Sequence, residues 1–437
     1  MTIPESSHPA GSDPNCPSRK ESTPPGESLD EICLANPREP LVDTHPSVPA
    51  IHTAAVFQCD STRQADEILG GQRPGFAYQR DAHPNAVRLA EKCRKLHGAR
   101  WAGITSSGMS SLAAIVLGTL QAGDHILVSN QLYGRSSVML EQQIKRFGIS
   151  VDVFDPFELA QLPAKHQPGK TRLIVAETIA NPLLRVMAID ELVRIAKKLD
   201  CQTAIDNTFA TPFSCQPLRL GIDWVWESYS KMLNGHSDVM LGMVAGNHES
   251  TGDVARAIST WGLSSAPFEC YLAERGLTTF GLRIRQSIEN ARLAAAWLSQ
   301  QSQVAAVHYP GLSHHPDHQL LPRILNGADL NTLSPHPVAA AGNVVTFELA
   351  FPNGQTDYQS RHSPQVDHFL QASGIPYYPS LGECNTTLSH PCSSSHRHLS
   401  PDQRQQLGIS ANTLRLCLGI EPWQVLQTNL RAGLQTG

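Results

Sequence analysis

The chain has 437 residues, of which 41% are hydrophobic, and a formal net charge of −5. One hydrophobic core rarely organises so long a chain, so two packed domains are expected. The weakly acidic charge supplies no basic face for nucleic acid, which leaves small molecules as the expected partners. No apolar stretch is long enough to span a membrane, and residues 1–31 contain no apolar signal segment, so the sequence predicts a cytoplasmic protein.

The ten cysteines are scattered and include no C-x-x-C pair. This spacing favours reduced thiols over a disulfide framework or a cysteine zinc site. A metal hydrolase is an alternative because of His314-His-Pro-Asp-His318 and His396-Arg-His398. Neither group has helical ligand spacing with a companion acid, so both are interpreted as loop histidines and no metal is predicted.

In chain order, residues 1–45 are rich in proline, serine and charge and predict a disordered tail. From Trp101 onward, short apolar runs alternate with helical segments, which is typical of a parallel sheet flanked by helices. The predicted strands are 101–105, 125–129, 151–154, 172–176, 203–205 and 222–226. A helix over 289–300 leads to a break at Pro310 and Gly311, where a C-terminal domain begins. Residues 326–343 are interpreted as an insertion before a strand at 344–349.

Two polar residues follow predicted strands closely. Asp206 ends the strand 203–205, at the edge where open α/β sheets place ligand-binding groups, although a turn or capping aspartate is an ordinary alternative. Lys231 lies in Ser228-Tyr-Ser-Lys-Met-Leu-Asn-Gly-His-Ser-Asp238, just past another strand. Partial burial there would lower its pKa and favour imine formation, but from these residues alone a solvated loop lysine is the more common explanation.

Two further segments are candidates for binding a flat, phosphorylated ligand. Thr105-Ser-Ser-Gly108-Met109 follows a strand and opens a helix, whose free N–H groups can bind phosphate; an ordinary capped helix start is an equal alternative. Tyr133 can stack on a ring or be an aromatic residue in a turn. Pyridoxal phosphate requires a lysine, a carboxylate opposite its ring nitrogen and a phosphate cradle, and the chain has a candidate for each.

The order and spacing of these segments resemble the Cys/Met-metabolism family of pyridoxal-phosphate enzymes, which includes cystathionine γ-synthase, the cystathionine lyases, methionine γ-lyase and the homoserine sulfhydrylases. The resemblance covers roughly residue 45 to the C-terminus. The matching segments are Glu177-x-x-x-Asn181-Pro182, Ile205–Pro212, Ser228–Asp238, Arg275-Gly-Leu277, Ser380-Leu-Gly382 and Leu414–Glu421. It implies an α/β, fold-type I architecture, with a mainly parallel sheet and flanking helices in the large domain and a smaller α+β C-terminal domain.

The resemblance implies a role for each site residue. Lys231 forms the Schiff base with the cofactor and moves protons, Asp206 pairs with the pyridinium nitrogen, Asn181 lies near the 3-hydroxyl, and Tyr133 stacks on the ring and assists catalysis. The residues implied to bind the phosphate are Gly108, Met109, Ser228 and Ser230, and those implied to bind the substrate carboxylate are Ser380 and Arg415.

Tyr78 and Arg80 resemble a Y-x-R element that reaches the phosphate of a neighbouring subunit. The resemblance therefore implies a homotetramer of two active dimers. The predicted organisation is a tail over 1–45, an arm toward the neighbouring subunit over 46–95, a pyridoxal-phosphate domain over 96–300 and a C-terminal domain over 301–437.

Four positions depart from the family pattern: His83 in His83-Pro-Asn after the Y-x-R element, Arg135 after Tyr133-Gly134, Pro379 before Ser380, and Glu383 after Gly382. Because of these departures, the resemblance does not identify the distal group of the substrate. The resemblance implies carbon–sulfur bond formation or cleavage of the cystathionine γ-synthase or γ-lyase type. The alternatives are an O-acylhomoserine sulfhydrylase, a cystathionine β-lyase, and a catalytically silent protein that binds pyridoxal phosphate.

Overall fold

The computed structural model describes residues 28–35, 46–324, 341–351 and 356–435. Its strands are β1 Trp101–Thr105, β2 His125–Ser129, β3 Ser150–Phe154, β4 Thr171–Glu177, β5 Gln202–Asp206, β6 Trp224–Ser228, β7 Gly242–Gly246, β8 Val304–His308, β9 Val344–Leu349, β10 Thr387–Ser389 and β11 Thr413–Cys417.

The helices of the first part of the chain are α1 Leu29–Leu34, α2 Thr62–Leu69, α3 Pro84–His97, α4 Gly108–Thr119, α5 Gly134–Val138, α6 Leu162–Lys165, α7 Ile189–Lys198, α8 Thr211–Ser214 and α9 Thr251–Thr260. Those that follow are α10 Pro267–Leu277, α11 Phe280–Leu298, α12 Leu321–Ile324, α13 Pro364–Ser373, α14 Pro401–Leu407 and α15 Trp423–Leu434. Within the described ranges, no helix combines the length and the apolar character needed to cross a bilayer.

The larger sheet has the order β1-β7-β6-β5-β4-β2-β3. Strands β6, β5, β4, β2 and β3 are parallel, and β7 pairs antiparallel with both β6 and β1. Alternate side chains enter different cores: Ile126 and Val128 pack on one face and Leu127 on the other. Burial of both faces explains the continuous apolar runs, because helices cover a parallel sheet on both sides. The predicted fold class is confirmed, whereas β7 was not predicted.

The smaller sheet is antiparallel, with the order β10-β11-β9-β8. Helix α11 packs against β8 and β9 and begins at Phe280, earlier than the predicted 289, while α15 packs on α13. Strand β9 lies at the predicted 344–349. Of the predicted insertion at 326–343, residues 326–340 lie outside the described residues.

The prediction of a disordered tail over 1–45 is wrong for residues 28–35, which include α1. Ser28 and Glu31 form a reciprocal capping box: the Ser28 N–H donates to Glu31 Oε2 over 2.7 Å, and the Glu31 N–H donates to Ser28 Oγ over 3.2 Å. Leu29, Ile32 and Cys33 are buried where α1 packs on α3 and α11. The Ser-x-x-Glu spacing was the available signal. The rest of the tail lies outside the described residues.

Helix α11 also supports the turn that follows β6. The buried guanidinium of Arg283 donates hydrogen bonds to the carbonyl oxygens of Met232, Leu233 and Gly276 at 2.9, 3.0 and 2.8 Å. Burial lowers the pKa of Arg283, but the group stays charged because its ordinary value is so high. Two of these charge-assisted bonds hold the backbone immediately after Lys231, and the third joins it to the end of α10.

Candidate active site

The candidate site lies where β4, β5 and β6 end. Glu177 is the register partner of Asp206 on the neighbouring parallel strand, and Asp206 is the partner of Trp226 on the next. Strand β6 runs to Ser228, two residues past the predicted end, and the turn after it carries Lys231. Parallel strands with aligned carboxyl ends thus bring residues distant in sequence to one edge of the sheet.

Lys231 is held by a residue of the C-terminal part of the chain. Its Nζ donates to Ser380 Oγ over 2.7 Å. Burial lowers the pKa of Lys231, and the nearby Arg415 guanidinium lowers it further. Both effects favour the neutral amine, which is the nucleophilic form of a lysine.

Gly382 lets this segment approach the lysine turn. Its φ is +99°, and a Cβ added there would lie 2.7 Å from the carbonyl carbon of Lys231 and 2.7 Å from the Met232 nitrogen. Only glycine combines this left-handed conformation with so close a backbone approach. The Ser380–Lys231 contact therefore depends on the absence of a side chain at residue 382.

The start of α4 and the end of β6 form a polar cradle. A Cβ added to Gly108 would lie 3.0 Å from Ser228 Cβ. Among the described residues, no acceptor bonds the N–H groups of Gly108 and Met109, and no partner bonds the hydroxyls of Ser228 and Ser230. Two free N–H groups at a helix N-terminus beside two free hydroxyls fit a phosphate.

Asp206 accepts hydrogen bonds at one carboxylate oxygen, and its side chain is partly exposed in the site. Its Oδ1 accepts hydrogen bonds from Thr208 N at 2.9 Å and Thr208 Oγ1 at 2.5 Å. Burial raises the pKa of Asp206 to about 6, although the Thr208 donors favour its charged form, and the nearby Glu227 carboxylate adds to the rise. A cation opposite Asp206, such as a pyridinium nitrogen, would restore its charge.

Tyr133 and Arg415 lie on the substrate side. The Tyr133 side chain is 40% exposed, and its backbone N–H donates to the Glu177 carboxyl group. Arg415 is 3% exposed; its Nη1 donates to Asn181 Oδ1 over 2.7 Å and its Nε to Ser389 Oγ over 2.9 Å. Burial lowers the pKa of Arg415 to about 10, so it remains cationic at neutral pH and its Nη2 is available for an anion.

Tyr78 and Arg80 are not brought to this cluster by contacts within the chain. The Arg80 Nη1 donates to the Ser259 carbonyl oxygen over 2.9 Å and lies 3.5 Å from Asp81. Both side chains are exposed. Their predicted role toward a neighbouring subunit stays a prediction.

His396, which the sequence analysis interpreted as a loop histidine, lies beside Arg415. Burial lowers the pKa of His396 to about 3, and the Arg415 cation contributes to this shift. The His396 ring stacks on the His398 ring, with 6.5 Å between centroids.

Asp317, which belongs to the other histidine-rich segment, accepts two hydrogen bonds from Arg185 at 2.6 and 3.1 Å. In the described ranges, no group of three or more histidine, cysteine or acidic side chains could hold a metal.

Residues 33–435 match the family model described as "Cys/Met metabolism PLP-dependent enzyme". The chain belongs to this family. It is 32% identical to O-succinylhomoserine sulfhydrylase of Pseudomonas aeruginosa over 88% of this chain and 90% of the relative. It is 30% identical to L-methionine gamma-lyase of Porphyromonas gingivalis over 88% of this chain and 92% of the relative.

A solved structure of cystathionine gamma synthase from Xanthomonas oryzae pv. oryzae in complex with cystathionine has a TM-score of 0.82 and 29% identity, covering 93% of this chain and 97% of that one. These findings confirm the predicted family, fold and cofactor. The protein is a pyridoxal-phosphate-dependent enzyme that makes or breaks carbon–sulfur bonds in sulfur amino acid metabolism.

The first prediction concerns Gly382. We expect Gly382→Ala to reduce cofactor loading and kcat at least about tenfold, because the new methyl group overlaps the backbone of Lys231. Gly374→Ala is the matched control: it also has a positive φ, of +63°, but a Cβ there has no neighbour within 4 Å. Absorbance of the bound cofactor and steady-state kinetics measure the effect. Equal losses in the two variants would contradict the role given to the close approach.

The second prediction concerns pH. The pKa of Asp206 is raised from 3.8 to about 6 on folding, so ionisation of Asp206 makes the folded cofactor-free protein less stable as pH rises between these values. Asp206→Asn cannot ionise and escapes this loss. The stability of the variant relative to the native chain should therefore increase by about 1–3 kcal/mol from pH 4 to pH 7. Urea unfolding at several pH values measures it, and a pH-independent difference would contradict it.

Proposed function

We propose that the enzyme acts at Cγ of homoserine-derived amino acids, with chemistry of the cystathionine γ-synthase or γ-lyase type. The observation that carries the proposal is the Lys231–Ser380 contact beside Arg415. It puts a depressed-pKa amine and a carboxylate-binding guanidinium at one site. The buried Leu381 between Ser380 and Gly382 supports a γ-type pocket, since the sequence resemblance links Ser-Leu-Gly, as opposed to serine followed by tryptophan, with γ-type enzymes.

The proposed roles follow from the available donors. Arg415 binds the substrate α-carboxylate through Nη2 while its other nitrogens stay bonded to Asn181 and Ser389. In the holoenzyme the Lys231 amine would accept the Cα proton of the bound substrate, and Ser380 Oγ would hold that amine in place. Pyridoxal phosphate, when bound, takes up the electron pair left at Cα. The Tyr133 side chain, which is 40% exposed, assists proton transfer at the departing group through its hydroxyl.

The remaining site residues hold the cofactor in this proposal. Gly108, Met109, Ser228 and Ser230 direct their free donors at the phosphate. Asp206 pairs with the ring nitrogen, and the amide nitrogen of Asn181, whose oxygen is bonded to Arg415, donates to the 3-hydroxyl. A cytoplasmic location stays a prediction.

Arg135 is proposed to set the preference for the distal part of the substrate. Its side chain is exposed at the start of α5 and forms no hydrogen bond or ion pair within the described ranges. The preceding Gly134 packs against His398, where an added Cβ would lie 2.5 Å from Cε1, so the segment containing His396 adjoins Arg135. Arg135 and Arg415 make this mouth of the site cationic, which suits a substrate with a second negative charge.

The third prediction tests this function with a substrate panel. The purified holoenzyme should convert cystathionine, or an activated homoserine in the presence of cysteine, and prefer O-succinylhomoserine to O-acetylhomoserine. Arg135→Ala should raise KM for the succinyl ester about tenfold and leave that for the acetyl ester nearly unchanged. The control is Arg146→Ala, which removes an exposed arginine from a helical turn after α5.

The panel also separates the alternatives. Turnover of O-succinylhomoserine with sulfide but not with cysteine would identify a sulfhydrylase, the activity named for the Pseudomonas aeruginosa relative. Pyruvate from cystathionine would identify a β-lyase. A bound-cofactor absorption band without turnover of any substrate would indicate a catalytically silent protein and contradict the proposal.

The proposal includes a site shared between subunits, in which Tyr78 and Arg80 bind the phosphate of a neighbour. Exposure of both side chains supports it. Arg80 contacts Ser259 and Asp81 through Nη1 alone, and its Nε and Nη2 form no hydrogen bond within the described ranges. Tyr78 also lies under the Arg80 guanidinium, 5.2 Å from the ring centroid, so the two form one unit. The expected assembly is a homotetramer built from two such dimers.

The fourth prediction tests the shared site by complementation. Arg80→Ala and Lys231→Ala should each be nearly inactive alone. When the two variants are unfolded and refolded together, half of the dimers are mixed and each contains one intact site, so activity should return to about a quarter of the native value. A mixture of Lys231→Ala with Asp206→Asn is the control, because both residues belong to the same subunit's site and no intact site can form. If the first mixture is no more active than the second, the site is not shared between subunits.

A further inference from the structure

A second buried acid lies beside the aspartate that faces the cofactor. Glu177 ends β4 and is the register partner of Asp206 at the end of β5. Paired residues of neighbouring parallel strands project from the same face of a sheet, so the two carboxyl groups face the same region. Glu177 is 8% exposed and forms no ion pair among the described residues. The roles proposed above leave it without a function.

The surroundings of Glu177 oppose its ionisation. Burial raises the pKa of Glu177 well above its ordinary value, and the neighbouring Asp206 carboxylate raises it further. The backbone N–H groups of Tyr133 and Asn181 work in the other direction but do not outweigh these effects. Two carboxylates side by side in a site with little water cannot both be charged, so one of them retains a proton.

The neighbours of each acid decide which one keeps the proton. Asp206 receives two donors from Thr208 and is partly open to the site, where the cofactor's ring nitrogen is expected. Glu177 accepts hydrogen bonds only from the two backbone N–H groups, and no cation contributes to its pKa. Asp206 is therefore the site of the negative charge.

A third acid on the other side of Asp206 strengthens this assignment. Glu227 is fully buried, accepts a hydrogen bond from Asn207 Nδ2 over 2.7 Å and lies 3.6 Å from His97 Nε2. The Glu227 carboxylate already raises the pKa of Asp206. A negative charge on Glu177 would give Asp206 a second anionic neighbour and raise the pKa of Asp206 further. Asp206 would then be less able to carry the charge that pairs with the cofactor.

We propose that Glu177 is a neutral carboxylic acid in the holoenzyme, where it positions Tyr133 through the backbone N–H of that residue and leaves Asp206 as the single anion of the pair. Glu177 is thus a positioning residue. The side-chain oxygen Oε1 of Glu177 accepts the Tyr133 N–H and so joins the start of α5 to the end of β4. This hydrogen bond positions the Tyr133 ring. Its bound proton keeps the negative charge on Asp206.

The direct test is infrared spectroscopy of the holoenzyme. The difference spectrum of the native enzyme minus Glu177→Gln at neutral pH should contain the carbonyl band of a neutral carboxylic acid, because the substitution removes that group. A carboxylate band in its place, with no neutral-acid band, would overturn the proposal. A difference spectrum against Glu158→Gln, which replaces an exposed acid, shows whether the band belongs to Glu177.

Kinetics of two variants test the positioning role. Gln retains a carbonyl oxygen that can accept the Tyr133 N–H, whereas Ala leaves this N–H without a partner. We expect Glu177→Gln to retain a kcat about tenfold higher than that of Glu177→Ala, and the pH profile of the bound cofactor's absorption to move less in the Gln variant. Equal impairment of the two variants would mean that the charge of Glu177, and not its acceptor, is required, and would contradict the proposal.

This inference rests on the family's cofactor and not on the substrate proposed above. The infrared band and the absorption profile are read without any substrate. If the substrate panel fails while the neutral-acid band is present, the proposed function falls and the assignment of Glu177 stands. If the band is absent while the panel succeeds, only the assignment of Glu177 falls.

Discussion

The burial of charged groups at one edge of a sheet is the constraint on which the site depends. Strands β4, β5 and β6 end with Glu177, Asp206 and, just before Ser228, Glu227. Such groups lose hydration and need either a partner or a proton. Thr208 donates to Asp206 and Asn207 to Glu227, and we infer a retained proton on Glu177. In the proposed site, the cationic ring nitrogen of the cofactor is the partner of Asp206.

The cationic side of the site comes from the C-terminal part of the chain. Ser380 accepts the Lys231 hydrogen bond, Gly382 permits the approach, and Arg415 projects from the smaller sheet to Asn181. Lys231 and Arg415 thus meet through contacts between two sheets. Burial lowers the pKa of both groups, so packing and reactivity have the same physical origin.

Much of the parallel sheet could be predicted because its strands are short apolar runs, and β1, β2 and β9 have the predicted bounds. Lys231 and Asp206 could be selected as candidates because each follows such a run, but their proximity to Arg415 came only from the family resemblance. Sequence spacing carries no information on strand register, so Glu177 and Glu227 were not recognised as neighbours of Asp206. The place of His396 beside Arg415 was not predicted because it depends on a long-range contact.

Reductive trapping tests the central claim, that Lys231 is the residue that binds the cofactor covalently. The holoenzyme would be treated with borohydride, digested and mapped by mass spectrometry, with a cofactor-free sample as the control. The account predicts a phosphopyridoxyl group on the peptide that contains Lys231 and on no other lysine. A modified peptide from elsewhere in the chain, or the absence of any modified peptide from a yellow holoenzyme, would contradict it.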